Sequence, residues 1–167
     1  MAAVIPIARP SMPDKKLSHL LPDSKTFRLE EFPFYWLAQT YAIYEGEIER
    51  VLKRLGTDLP TRRVLMMLGL FGKVSVSELA GHSITKLSTT TRIIQRMRDE
   101  GLVETSVNED DARITNVEMT QKGIDLLESI HQGTHKIYLR AYQDLGRDEL
   151  QKMTNTLKRI HGNLAGL

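Results

Sequence analysis

The sequence predicts a mainly α-helical domain carrying one small β-hairpin. Three observations point there. Apolar residues recur at three- and four-residue steps through long segments at both ends of the chain. An S-x-x-E pair, Ser75 and Glu78, opens a short helical segment in the middle, and a second polar-faced segment follows it. Two β-branched runs, 102–107 and 114–119, flank the turn-forming stretch Asn108-Glu-Asp-Asp111. At 167 residues and 41% hydrophobic, the chain suits one ordinary domain with a core.

Residues 1 to about 27 hold four of the six prolines and little periodicity, so 1–32 reads as an N-terminal arm without assigned structure. Beyond Pro33, the positions Leu37, Tyr41, Tyr44, Ile48, Val51 and Leu55 line one side of a long helix that stops at Gly56. A second helix starts near Pro60 and runs through Val64, Leu65 and Leu68 to about Phe71. The Ser75/Glu78 box opens a third, with Leu79 and Ala80 inward. A fourth spans Lys86 to Arg98, capped by Thr85, with Leu87, Thr90, Ile94 and Met97 inward, and ends before Gly101. Helices three and four make a helix-turn-helix, and the hairpin after them a wing. Thr120 caps a fifth helix reaching Leu145, which Gly146 breaks. In the last helix Leu150, Met153, Leu157, Ile160 and Leu164 follow a coiled-coil spacing, a narrow seam that wants a partner helix.

Composition excludes several function classes. No apolar run reaches the roughly 18 to 20 residues of a membrane span, and the opening apolar stretch, interrupted by Pro6 and lacking a basic start, makes a poor leader. A cytoplasmic protein without membrane partners is expected. With no cysteine, disulfides, thiolate metal sites and thiol switches are ruled out. The charge of +2 and pI near 8.9 decide little. No nucleophile–base motif, metal cluster or glycine-rich phosphate loop suggests an enzyme. His131 and His135 stand four apart on helix five without a third ligand nearby in sequence, so dimer packing or solvent exposure is expected and no metal. His82, between the two helices of the motif, reads as surface or turn.

The outward face of the fourth helix holds Lys86, Ser88, Thr89, Arg92, Gln95 and Arg96. Arginine can fork onto guanine, glutamine can match adenine, and hydroxyls can reach phosphates or base edges. A solvated polar face is the alternative, and the position after a capped helix favours DNA. In Asp111-Ala-Arg113, residues two apart on a strand share a side, so Asp111 is expected to hold the Arg113 guanidinium for a narrow, A·T-rich minor groove. Glu109 and Asp110 would repel phosphates and are expected to face solvent.

From about Phe34 onward the chain resembles the MarR family of bacterial transcription regulators. The matching pieces are Asp111-Ala-Arg113, Val117-Glu-Met-Thr120 and Gln121-Lys-Gly123, similar to the family's D-x-R wing and its step into the next helix. Leu59-Pro60-x-x-Arg63-Val64-Leu65, Ser77-Glu-Leu-Ala80 and Ser88-Thr-Thr-Thr-Arg92 support them. The resemblance implies an intertwined homodimer through helices 33–58 and 121–167, holding two winged lobes of residues 59–120. It implies an operator of double-stranded DNA, contacted by Ser88, Thr89, Thr91 and Arg92 at bases or phosphates and by Arg113 in the minor groove. Lys86, Gln95 and Arg96 join that set from the helix geometry alone.

The family commonly answers small anionic aromatic compounds, which implies an effector and no other cofactor. Phe32, Phe34, Tyr35, Trp36, Tyr41 and Tyr44 crowd the first helix, and Arg62 stands where many relatives have an aromatic residue. Arg62 and Arg63 could clamp the carboxylate of an aromatic acid or its coenzyme A thioester. Core and dimer packing remains open for the aromatics, and a structural ion pair for the arginines. A ligand-released repressor is the leading reading; a winged-helix module that binds protein and not DNA is the alternative.

Overall fold

Short-range signals set the ends of most elements in the computed structural model, which describes residues 15–82 and 85–166. Among these residues the order is α1 (Pro33–Arg54), α2 (Leu59–Phe71), β1 (Val74–Ser75), α3 (Val76–His82), α4 (Leu87–Asp99), β2 (Val103–Val107), β3 (Thr115–Met119), α5 (Gln121–Ala141) and α6 (Arg147–Ala165). The chain divides into two compact units, residues 1–46 and 47–167, so the boundary falls inside α1 and both C-terminal helices belong with the winged lobe.

In the first unit, the arm to which the sequence assigns no structure is partly helical from Lys15 on. Lys15–Leu20 and Leu29–Glu31 form 3-10 helices. The Arg28 amide donates to the His19 carbonyl at 3.0 Å and closes the intervening loop. Phe27 meets Phe32 edge-on at 5.4 Å, and the Trp36 indole N–H donates to the Glu30 carbonyl at 2.8 Å. Such 3-10 turns rest on local i to i+3 bonds and carry no 3.6-residue period, which is why periodicity misses them. Residues 1–14 of the expected arm lie outside the described residues.

In the second unit, α2 starts on an Asp58 cap, whose carboxylate accepts from the Thr61 amide at 2.9 Å, with Pro60 in the first turn. The Ser75 and Glu78 box closes reciprocally: the Ser75 amide donates to Glu78 at 2.8 Å, and the Glu78 amide to the Ser75 hydroxyl at 3.2 Å. Both hairpin strands form as expected, yet the sheet has three strands in the order β1-β3-β2. The extra strand pairs Val74 with Val117 and Ser75 with Asn116. Two residues are too few to show an alternation. Leu65, Leu68, Leu79, Met97, Val103 and Val117 fill the core under this sheet, and Ile48, Leu52 and Ile130 continue it along α1 and α5.

Four local expectations need correction. Thr85 does not cap α4: its hydroxyl bonds the Thr90 hydroxyl at 2.8 Å, and Lys86 takes the cap position with no side-chain cap bond. Leu87, expected inward, is 53% exposed, because it stands at the very first position of α4, ahead of Thr90, where burial begins. Helix α5 stops at Ala141, before Leu145, and Asp144 turns the chain with a φ of 61°. Gly146 is therefore the start signal of α6, its amide donating to Glu149 at 2.8 Å, and not the breaker of α5. The apolar seam of α6 is present in sequence, but none of its residues is buried in the single chain.

The joint between wing and α5 is tight. Thr120 caps α5 through the Gly123 amide at 3.2 Å and donates to the Gly101 carbonyl at 2.7 Å, while its own amide reaches the Leu102 carbonyl at 3.1 Å. A Cβ on Gly123 would sit 2.2 Å from that Leu102 oxygen. The clashing atom is backbone, so the joint cannot relax by a rotamer change. Gly123→Ala is expected to lose about 1–3 kcal/mol or more of stability in urea titrations. An unchanged midpoint would show that α5 can slide away from β2.

Candidate nucleic-acid interface

Thr90, Ile94 and Met97 are buried and fix which way α4 faces. Lys86, Ser88, Thr89, Thr91, Arg92, Gln95 and Arg96 are consequently all exposed. Two of these side chains have partners within the helix. The Thr91 hydroxyl donates to the Leu87 carbonyl at 2.9 Å, and the Gln95 amide to Asp99 at 3.0 Å. Beside α4 runs an open groove of about 390 Å³, walled by Ser75, Leu87, Thr91, Arg98, Arg113 and Thr115. It brings the start of α3, α4 and the wing onto one concave surface. Arg98 is an addition to the expected set; it stands seven residues after Thr91, two turns along the same face.

The wing tip is organised by two side-chain-to-backbone turns. The Asn108 carboxamide oxygen accepts from the amides of Asp110 at 2.9 Å and Asp111 at 3.2 Å. Asp111 then accepts from the Arg113 amide at 2.9 Å. Residues 111–113 are thus a turn and not the strand assumed for them, because an aspartate that bonds its own backbone two residues on competes with the extended form. Asp111 orients Arg113 through the main chain. The carboxylate lies 3.9 Å from the guanidinium, a loose surface pair, and the Arg113 side chain is 94% exposed. Glu109 and Asp110 are exposed.

Arg96, expected as a groove contact, is exposed on α4 and also has partners within the protein. Its Nη2 donates to Asp58 at 3.0 Å and to the Thr61 hydroxyl at 2.9 Å, and lies 2.8 Å from the second Asp58 oxygen. Helix position alone cannot reveal this, since the partners lie on α2 and its cap, 35 and 38 residues earlier. At Asp58, burial works to raise the pKa, yet the Thr61 amide and hydroxyl bonds and the Arg96 charge outweigh it and hold the carboxyl below 3.8. At Glu78 the Ser75 hydroxyl and amide lower the pKa, with the nearby His82 adding a smaller pull.

The residues expected to hold an effector fall in both units. Phe34, Trp36 and Tyr41 are exposed and Tyr44 half-buried in the first. In the second, Arg62 is 6% exposed and donates to the Tyr138 hydroxyl at 2.8 Å. Tyr138 escaped sequence reasoning because 76 positions separate it from Arg62. Arg63 lines a smaller pocket of about 80 Å³ with Pro60, Val64, Thr85, Thr89 and Ile93. His131 and His135 are exposed on α5, and His82 stacks on Phe71 at 4.6 Å.

The lowered pKa of Asp58 fixes the sign of a pH effect. The unfolded chain takes up this proton first, so the stabilisation is complete above 3.8 and is lost as pH falls through the lower folded-state value. The melting-temperature gap between wild type and Asp58→Asn is expected to be widest at neutral pH and to close on acidification. A gap that stays constant or widens in acid would remove the charge from this contact.

A family model described as MarR family matches residues 59–115, from the first turn of α2 to the first residue of β3. The HTH-type transcriptional repressor IacR of Pseudomonas putida is 39% identical over 150 residues, covering 90% of each chain. A crystal structure of a mutant MarR from E. coli complexed with operator DNA shares the fold, with a TM-score of 0.68, 22% identity and coverage of 78% of this chain and 95% of that one. So does Bordetella bronchiseptica BpsR, described by a mechanism for regulation of its DNA binding by 6-hydroxynicotinic acid, with a TM-score of 0.66, 18% identity and coverage of 77% and 97%. The helix-turn-helix and wing read from Ser75 to Met119 are therefore shared with this group, and the chain belongs to the MarR family of DNA-binding transcription regulators, which are not enzymes.

Proposed function

We propose that this chain is a cytoplasmic homodimeric repressor released from a pseudo-palindromic operator by a small anionic aromatic ligand. The observation that carries the DNA half is the concave surface that Thr91, Gln95 and Arg98 of α4 share with the extended Arg113 side chain, with Lys86, Ser88, Thr89 and Arg92 exposed on the same helix. Ser88, Thr89, Thr91 and Arg92 meet bases or phosphates, with Lys86 and Gln95 at the edges, and Arg113 enters a minor groove. The helix-turn-helix lobe of residues 59–120 reads DNA, and helices 33–58 and 121–167 dimerise.

Exposed apolar residues support the dimer. Ile43 on α1 is 69% exposed and Leu139 on α5 61%, and Met153, Leu157 and Leu164 on α6 are exposed as well. Covering such surface by a second copy is favourable at about 25 cal/mol per Å² of apolar area. Two lobes about 34 Å apart then address successive major grooves.

The effector half rests on Arg62, a buried cation already in contact with the Tyr138 phenol. A guanidinium fork matches a carboxylate, as in an aromatic acid or its coenzyme A thioester. A ligand that prefers one arrangement of the lobes shifts the population away from the DNA-binding one.

Fluorescence anisotropy with duplexes enriched by the wild-type protein from a random library tests the DNA half. Arg92→Ala is expected to relax base preference by about 1–3 kcal/mol at the position it reads, and Arg113→Ala to weaken binding to A·T-rich flanks. Equal binding of wild type and Arg92→Ala to every duplex would sink this reading, and a footprint limited to one half-site would sink the dimer. For the effector, calorimetry with phenolic acids and their coenzyme A thioesters is expected to show heat that Arg62→Met abolishes, together with release of DNA. No heat and no release across the panel would overturn the ligand class.

A further inference from the structure

The outward face of α4 contains a side chain whose contacts run back into the protein. Arg96 bridges both oxygens of Asp58 and the Thr61 hydroxyl from a single terminal nitrogen, at 2.8 to 3.0 Å, and its Nε lies 3.8 Å from Glu100. Asp58 is held in turn by the Thr61 amide at 2.9 Å, and Thr61 is buried. Asp58, although its side chain is 43% exposed, is therefore held in place by its cap bond to the buried Thr61.

The start of α4 is held by the buried Thr90, whose hydroxyl meets that of Thr85 at 2.8 Å, and, among the described residues, by no ion pair to α2. Lys86 at its cap position makes no side-chain cap bond, and Leu87 in its first turn is exposed. Three buried side chains, Thr90, Ile94 and Met97, hold the helix against the core, and apolar contacts of this kind resist separation better than rotation. Side-chain tips lie about 5–6 Å from a helix axis, so a rotation of about 20° moves them by about 2 Å. That displacement separates a hydrogen bond from none. Arg92 stands one turn before Arg96 on the same face, and the contact that fixes one fixes the other.

We infer that Arg96 is a positioning residue: together with Asp58 and Thr61 it sets the rotation of the recognition helix, and so the base preference of Arg92, without touching DNA itself. The inference rests on the DNA-reading role proposed for α4. The Nη2 group of Arg96 is committed to Asp58 and Thr61, which makes a direct phosphate contact the poorer use of this side chain.

Asp58→Asn keeps a cap for the Thr61 amide and removes the charge, and Arg96→Gln removes the bridge. With full-length protein and the duplex enriched by wild type, each is expected to lower affinity by about tenfold and to flatten base preference, and the double variant to be no worse than either single one. The slope of affinity against salt is expected to stay at the wild-type value, and Arg96→Lys to keep the slope while losing the preference. The inference is overturned if Arg96→Gln alone weakens binding and drops the salt slope by about one while Asp58→Asn matches wild type, because Arg96 then neutralises a phosphate. Wild-type affinity and preference in both single variants overturn it as well. If Arg96→Gln melts below the assay temperature, Thr61→Val gives the same readout: lost preference supports the inference and retained preference overturns it. A library from which wild type enriches nothing removes the DNA-reading role of α4 itself, a failure distinct from these.

Discussion

Strand β3 must be paired along both edges, and the arrangement of the winged lobe follows from that requirement. Val117 sits at its centre, fully buried, opposite Val74 on one side and Thr105 on the other. An unpaired edge there would leave backbone donors and acceptors buried without partners. Satisfying them ties the entry to α3, through β1, and the wing, through β2, to one strand. The same strand runs into Thr120, which caps α5 and bonds the Gly101 carbonyl. Five elements are thereby joined by hydrogen bonds around a single buried valine.

Three arginines on this frame show how surroundings divide one side-chain chemistry into different tasks. Arg113 is carried on a turn built by Asn108 and Asp111 and extends almost wholly into solvent. Arg96, equally prominent in sequence, is folded back onto Asp58 and Thr61. Arg62 is buried against Tyr138. A fixed fork of donors serves each purpose: reaching an external anion, bracing two helices, or keeping a charge in the interior with hydrogen bonds in place. Residue type alone does not distinguish them; the position of the nearest carboxylate or phenol does.

What can be read from sequence is what depends on near neighbours along the chain. The Ser75/Glu78 box, the Thr120 cap and the Gly56 stop, with its φ of 69°, each involve residues within a few positions, and each stands where the pattern puts it. The pairing of β2 with β3 is likewise readable, because the turn between them is short. Contacts across long separations are not. Neither Arg96 with Asp58, nor Arg62 with Tyr138, nor Val74 with Val117 leaves a local trace. Two local misreadings have a different cause. Strand geometry does not suit Asp111, since aspartate readily bonds its own backbone. Gly146 reads as a stop in isolation, although glycine with an acidic residue three positions on, here Glu149, also suits a helix start.

The three-stranded sheet also makes the lobe a ruler. The register from Val103 opposite Met119 to Val107 opposite Thr115 fixes how far the wing projects, and β1 fixes that hairpin to the start of the helix-turn-helix. The distance from the base of the wing tip to α4 is then a property of strand pairing, and the turn built by Asn108 and Asp111 carries Arg113 from that base. One base pair of B-DNA advances the axis by about 3.4 Å and turns it by roughly 35°. A site with one pair inserted between the bases facing α4 and the minor groove facing the wing presents the second contact out of reach and out of phase. Under the DNA-reading role proposed for α4 and Arg113, the spacing between the two kinds of contact is a selection criterion in its own right, independent of which bases occupy them.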